Sequence, residues 1–188
     1  MTTTTARSGA RPSVVAGVAA RAVAAAGLAA AVTFGLDHSA PARFGIVVLG
    51  VYLLVQAGVL AVGTRALARS RNGRLLVVLR AAASLVGGVV ALSVGPAAGI
   101  DLLRPLEAIV FGLVGALEIV GGMLGAERAD LAGDAVVVGG LQVLVGALLV
   151  ILNPDALFAV GVLSAWGALV AVYLGISAVN LHRRGVRG

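Results

Sequence analysis

Apolar residues run along this chain in six long blocks, broken by short stretches where proline, asparagine or arginine collects. The blocks lie at about Val14–Leu36, Phe44–Gly63, Leu75–Val94, Leu106–Leu124, Ala135–Leu152 and Ala156–Leu181. A helix of about 17–25 residues, rising roughly 1.5 Å per residue, crosses the hydrocarbon core of a bilayer, and each block is long enough to do so. The pattern therefore predicts an all-α integral membrane protein of six transmembrane helices. They pair as three helical hairpins over about 14–63, 75–124 and 135–181. The opening MTTTTARSGARPS, residues 1–13, has no apolar period and reads as a disordered cytoplasmic tail, and residues 183–188 read as a basic cytoplasmic tail.

The connections alternate in character. Pro41, Pro96 and the dipeptide Asn153-Pro154 each follow an apolar run that a helix would otherwise continue, so these turns are expected to be tight. The others are basic: GTRALARSRNGR carries Arg65, Arg69, Arg71 and Arg74, and the C-terminal segment carries Arg183, Arg184 and Arg187. With the N-terminus inside, the inner segments hold ten arginines (those seven with Arg7, Arg11 and Arg128) against Arg43 and Arg104 outside. The positive-inside rule then sets both termini in the cytoplasm and an even number of spans. In GAERADLAGD the acids Glu127, Asp130 and Asp134 outnumber Arg128, but acidic residues count little in that rule. A cleaved signal peptide is the competing reading of the first block, which is longer than the about 7–15 residues of a typical signal core.

Composition agrees. Of 188 residues 60% are hydrophobic, more apolar surface than one soluble core of this size can hide, and the spans leave no room for a catalytic domain. The chain is accordingly expected not to be an enzyme. The absence of cysteine excludes disulfides, thiolate metal sites and thiol redox chemistry. All fourteen basic residues are arginine, and topology accounts for the net charge of +6 better than nucleic acid does. The Ala, Gly, Val, Leu and Arg bias is what GC-rich codons favour, which points to a bacterium and its inner membrane. His38 and His182 stand far apart with no second histidine at ligand spacing, and no cofactor or metal site is expected.

The three hairpins also look like copies of one unit. Leu49-Gly50, Phe111-Gly112 and Trp166-Gly167 open the second members, each followed six positions after its glycine by Gln56, Glu118 or Tyr173. Among the first members, Gly88 and Pro96 match Gly146 and Pro154, and Arg21 and Arg80 fall at related positions. On RAAASLVGGVVALSVGP and GVYLLVQAG the chain resembles the HdeD-like acid-resistance membrane protein family, over about Val14 to Leu181. The resemblance implies a six-helix bundle and a role in envelope or acid stress, with no assigned molecular activity. Gln56 and Tyr173 depart from the family's acidic residue, and Val138 from its arginine.

Ionisable groups inside spans are costly and suggest function. Arg21, Arg80, Glu107 and Glu118 qualify, with Glu118 the leading candidate. Counting outward from the turn near residue 99 sets Arg80 level with Glu118, and the same count about the first turn sets Arg21 level with Gln56. The expectation is an Arg80–Glu118 ion pair, an Arg21–Gln56 relative, and Tyr173 at the third such position. Such a pair either fixes helix register or handles protons or ions, with Ser84 and Gln142 as extensions. Trp166 and Tyr52 lie inside spans as packing residues. The small-residue runs Ala108-Gly112-Ala116 and Gly167-Ala171-Gly175 suit close helix packing within one subunit, or an interface with a second copy or another membrane protein. Membrane lipid is the remaining expected partner.

Overall fold

The structure, a computed structural model, describes residues 12–36, 40–68, 70–125 and 129–186. Among these are six long helices: α1 (Pro12–Gly35), α2 (Pro41–Leu67), α3 (Arg71–Ala98), α4 (Ile100–Met123), α5 (Ala129–Leu152) and α6 (Ala156–Val186). All six contain a stretch long and apolar enough to span a membrane. The expected tail falls mostly outside the described residues, as do His38, Arg69, Glu127 and Arg128, while Pro12 and Ser13 already belong to α1. At the other end α6 continues through Val186, so Arg183 and Arg184 occupy its last turns.

The turns are made differently from the expectation. Pro41 opens α2, where its missing N–H has no helical partner to lose. Pro96 lies in the last turn of α3, and the reversal falls on Gly99, whose φ of 60° suits a residue without Cβ. Ser70 caps α3 by accepting from Gly73 N at 3.0 Å, and Asp155 accepts from Phe158 N at 2.8 Å to begin α6. The start of α1 and the end of α6 lie at one end of the bundle, called here the terminal end, with the end of α2, the starts of α3 and α5 and the end of α4. The opposite ends of the helices form the distal end.

Helices pack most closely where glycine lets backbones meet. A Cβ on Gly115 would come within 2.6 Å of the Gly139 carbonyl on α5, and one on Gly88 within 3.0 Å of the Gly50 carbonyl on α2. On α6, a Cβ at Gly167 would lie 3.0 Å from the Ala25 carbonyl of α1, so the last helix closes on the first. Gly112 serves as the surface against which Gly146 packs, whereas Gly175 faces open space. Thr33 and Ser164 join α1 and α6 near the distal end, their hydroxyls 3.3 Å apart.

Polarity is inverted relative to a soluble protein. Phe34, Val62, Val150, Ile151 and Val172 are exposed, while Arg21, Gln56, Arg80, Ser84, Glu107, Glu118 and Gln142 are buried. An apolar exterior around buried charge is stable when lipid is the solvent, because hydrocarbon cannot hydrate those groups and the protein must.

Candidate functional site

Arg21 and Arg80 each stand nine residues in from the start of their helices, α1 and α3, a rise of about 13 Å. Glu118 enters from the opposite direction, five residues before the end of α4. The three meet in the terminal half of the bundle. Arg21 Nη2 donates to Glu118 Oε1 at 2.7 Å, and Arg80 Nη2 lies 2.6 Å from the same oxygen. Side-chain exposure is 9%, 2% and 0% in that order of residues, so the cluster is a buried ion triad rather than a surface ion pair. Space for it depends on α5, since a Cβ on Gly139 would crowd Glu118 Cβ at 3.0 Å.

The Arg21–Gln56 expectation requires correction. Arg21 makes its hydrogen bond to Glu118, and Gln56 Oε1 is buried without a protein partner among the described residues. The count about the first turn set Arg21 level with Gln56, but charge decides the pairing. In a low-dielectric interior a carboxylate attracts a guanidinium more strongly than a neutral amide does.

The third member of the series, Tyr173, behaves differently. Its hydroxyl donates to Asp134 Oδ1 at 3.0 Å, and the Ser177 hydroxyl reaches Asp134 Oδ2. These residues, with Asn180 and Arg184, line an open vestibule of about 310 Å³ between α5 and α6 at the terminal end. Asp134 also lines a second, enclosed cavity of about 10 Å³ with Arg21 and Arg80. That volume is close to the least that holds one water molecule. Asp134 thus stands between a polar opening and the ion triad. Sequence reading had counted it only as a loop acid.

Toward the distal end the core turns aromatic. Trp166 packs on Phe111 with ring centroids 4.5 Å apart, and edge-on to Tyr52 at 5.5 Å. Beyond this plug lies Glu107, eleven residues before Glu118, three turns away on the same face of α4 and about 16 Å along it. Glu107 is fully buried, and neither carboxyl oxygen has a hydrogen-bond partner among the described residues. Ser84 Oγ and Gln142 Oε1 are likewise buried without a partner among the described residues. His182 is exposed on α6, and no group of three His, Cys, Asp or Glu able to hold a metal occurs among the described residues.

Compared with protein-family models, curated proteins and solved structures, the chain matches none of them.

Proposed function

We propose that this chain is a non-enzymatic multi-pass protein of a bacterial inner membrane, both termini cytoplasmic, that serves envelope or acid-stress physiology like the family it resembles. The observation that carries the reading is the Arg21–Glu118–Arg80 triad, buried in the core, two of whose members line a water-sized cavity that shares Asp134 with a polar vestibule. The Glu118 carboxylate is contacted by both guanidiniums in a medium that cannot hydrate them, so its charge holds three helices at one point. The triad then works as a charge-dependent clasp between α1, α3 and α4. Asp134, Tyr173 and Ser177 on the vestibule side, and Tyr52 and Gln56 on α2, are among the other polar groups of that half of the core.

We read the six helices as three copies of one hairpin. Support comes from corresponding positions meeting one another: Gly50 with Gly88, Gly112 with Gly146, and Gly167 with Ala25 and Ala29. In each case the second helix of one hairpin packs on the first helix of the next, and the ring closes from α6 to α1. The large residue before each second-helix glycine (Leu49, Phe111, Trp166) is buried.

The clasp is tested by following unfolding through the single tryptophan, Trp166, in wild type and in Glu118→Gln. Glu118→Gln should unfold at a lower denaturant concentration than wild type, because the carboxylate that both guanidiniums contact loses its charge. A variant as stable as wild type would remove the reading. A second reading, a small proton or ion transporter centred on Glu118, is favoured by one observation, the partnerless Glu107 on the same helix face beyond the aromatic plug. Proton flux into proteoliposomes that disappears in Glu118→Gln would establish it instead.

A further inference from the structure

At the terminal end, the last turns of α2 and the first two turns of α3 enclose an open groove of about 780 Å³. Arg65 on α2 and Arg71 and Arg74 on α3 line its outer part, and Val62, Leu75 and Val78 its inner part. On α3 the positions Arg71, Arg74, Leu75 and Val78 are spaced i, i+3, i+4 and i+7, so they form one stripe that changes from charged to apolar along the helix axis. On α2 the order repeats, with Val62 one turn deeper than Arg65.

Two features of the groove identify what it takes. The three arginines are exposed and no acidic side chain among the described residues lines the groove, so their charge is directed outward, and the start of α3 adds the positive end of a helix dipole. The inner wall is strongly apolar and open, Val62 being 90% and Leu75 58% exposed, at the level where the helices enter hydrocarbon. A soluble anion would use the arginines and leave that wall bare. A neutral lipid would cover the wall and leave the guanidiniums without a counter-charge. From Arg71 to Val78 the stripe rises about 10 Å, the span of a headgroup and the upper part of one acyl chain.

We propose that this groove is a binding site for an anionic phospholipid, its phosphate held by the guanidiniums of Arg65, Arg71 and Arg74 and an acyl chain laid over Val62, Leu75 and Val78. Forked guanidinium–phosphate hydrogen bonds supply orientation as well as attraction, and a lipid with two phosphates satisfies three guanidiniums more fully than one does. The site is separate from the ion triad and does not depend on the function proposed for it.

The full chain, purified in detergent and offered phosphatidylcholine, phosphatidylglycerol or cardiolipin, is examined by native mass spectrometry for lipid retained. Wild type should retain cardiolipin and phosphatidylglycerol in preference to phosphatidylcholine. Arg71→Gln/Arg74→Gln should bind the anionic lipids about 30-fold more weakly. Arg183→Gln/Arg187→Gln removes the same charge at the end of the chain and should leave retention unchanged. Trp166 fluorescence checks that each variant keeps the native core. Equal retention of the three lipids by wild type, or an equal loss in both variants, would overturn the site and reduce it to general surface charge.

Discussion

Replacing Glu118 by Gln keeps shape and one acceptor oxygen, turns the other oxygen into a donor and removes one negative charge, which makes it the sharpest test of the triad. Two magnitudes compete. If the contacts at 2.7 and 2.6 Å matter only as hydrogen bonds between membrane helices, the loss should be about 0.6–2 kcal/mol, because helices unfolded within the membrane find substitute partners. If charge compensation dominates, removing one partner of a buried ion cluster should cost about 3–5 kcal/mol. The structure favours the larger figure, since Glu118 and Arg80 are almost fully buried and both guanidiniums converge on one oxygen. The assay is denaturant unfolding in bicelles read through Trp166, whose ring lies on Phe111 two turns from Glu118 on α4. A loss under about 2 kcal/mol would refute the charge argument and leave only the register-fixing role.

Further outcomes follow from the same geometry. Glu107→Leu should be neutral or stabilising while Glu118→Leu is costly, because only Glu118 has partners to leave behind; comparable losses from the two would contradict that difference. Gly115→Ala should destabilise by at least about 1–3 kcal/mol, since its methyl would meet the Gly139 carbonyl, whereas Gly175→Ala, facing open space, should leave the unfolding midpoint where it is. Because the chain has no cysteine, Asn180→Cys can be labelled by a membrane-impermeant thiol reagent added from the terminal side. Leu163→Cys, in the core, should stay unreacted, and labelling of both alike would mean the core is open.

Much of this architecture was legible because bilayer thickness is a strict ruler. Six apolar blocks gave six helices, and turn arithmetic placed Arg80 level with Glu118. What that arithmetic lacks is the arrangement of helices around the bundle. Arg21 and Glu118 are 97 residues apart and belong to different hairpins, so no count about a single turn could join them. The Asp134–Tyr173 contact was within reach, since Asp134 lies twenty residues before Pro154 and Tyr173 nineteen after it. It was missed because Asp134 was assigned to a loop, whereas α5 begins at Ala129. Pro96 misled for a similar reason: near the end of a helix it is tolerated, and the left-handed Gly99 performs the reversal.

Under the proposed reading of the hairpins as copies, departures from symmetry explain why one cluster forms rather than three equal pairs. Reading the hairpins as copies, the first-helix position holds Arg21, Arg80 and then Val138, while the second-helix position holds Gln56, Glu118 and then Tyr173. A symmetric bundle would satisfy each arginine within its own hairpin. Here one carboxylate serves two arginines, so Glu118 draws Arg21 across the bundle and ties α1, which also packs against α2 and α6, to α4. The third hairpin, with the buried apolar Val138 in place of an arginine, turns its tyrosine toward Asp134 and the vestibule instead. Loss of symmetry thus concentrates the charge at one point and leaves the approach to it between α5 and α6. Restoring symmetry with Gln56→Glu offers Arg21 a carboxylate from its own hairpin, and should reduce the cost of Glu118→Gln in the double variant below its cost alone. Equal costs would show that Gln56 and Arg21 share depth without interacting.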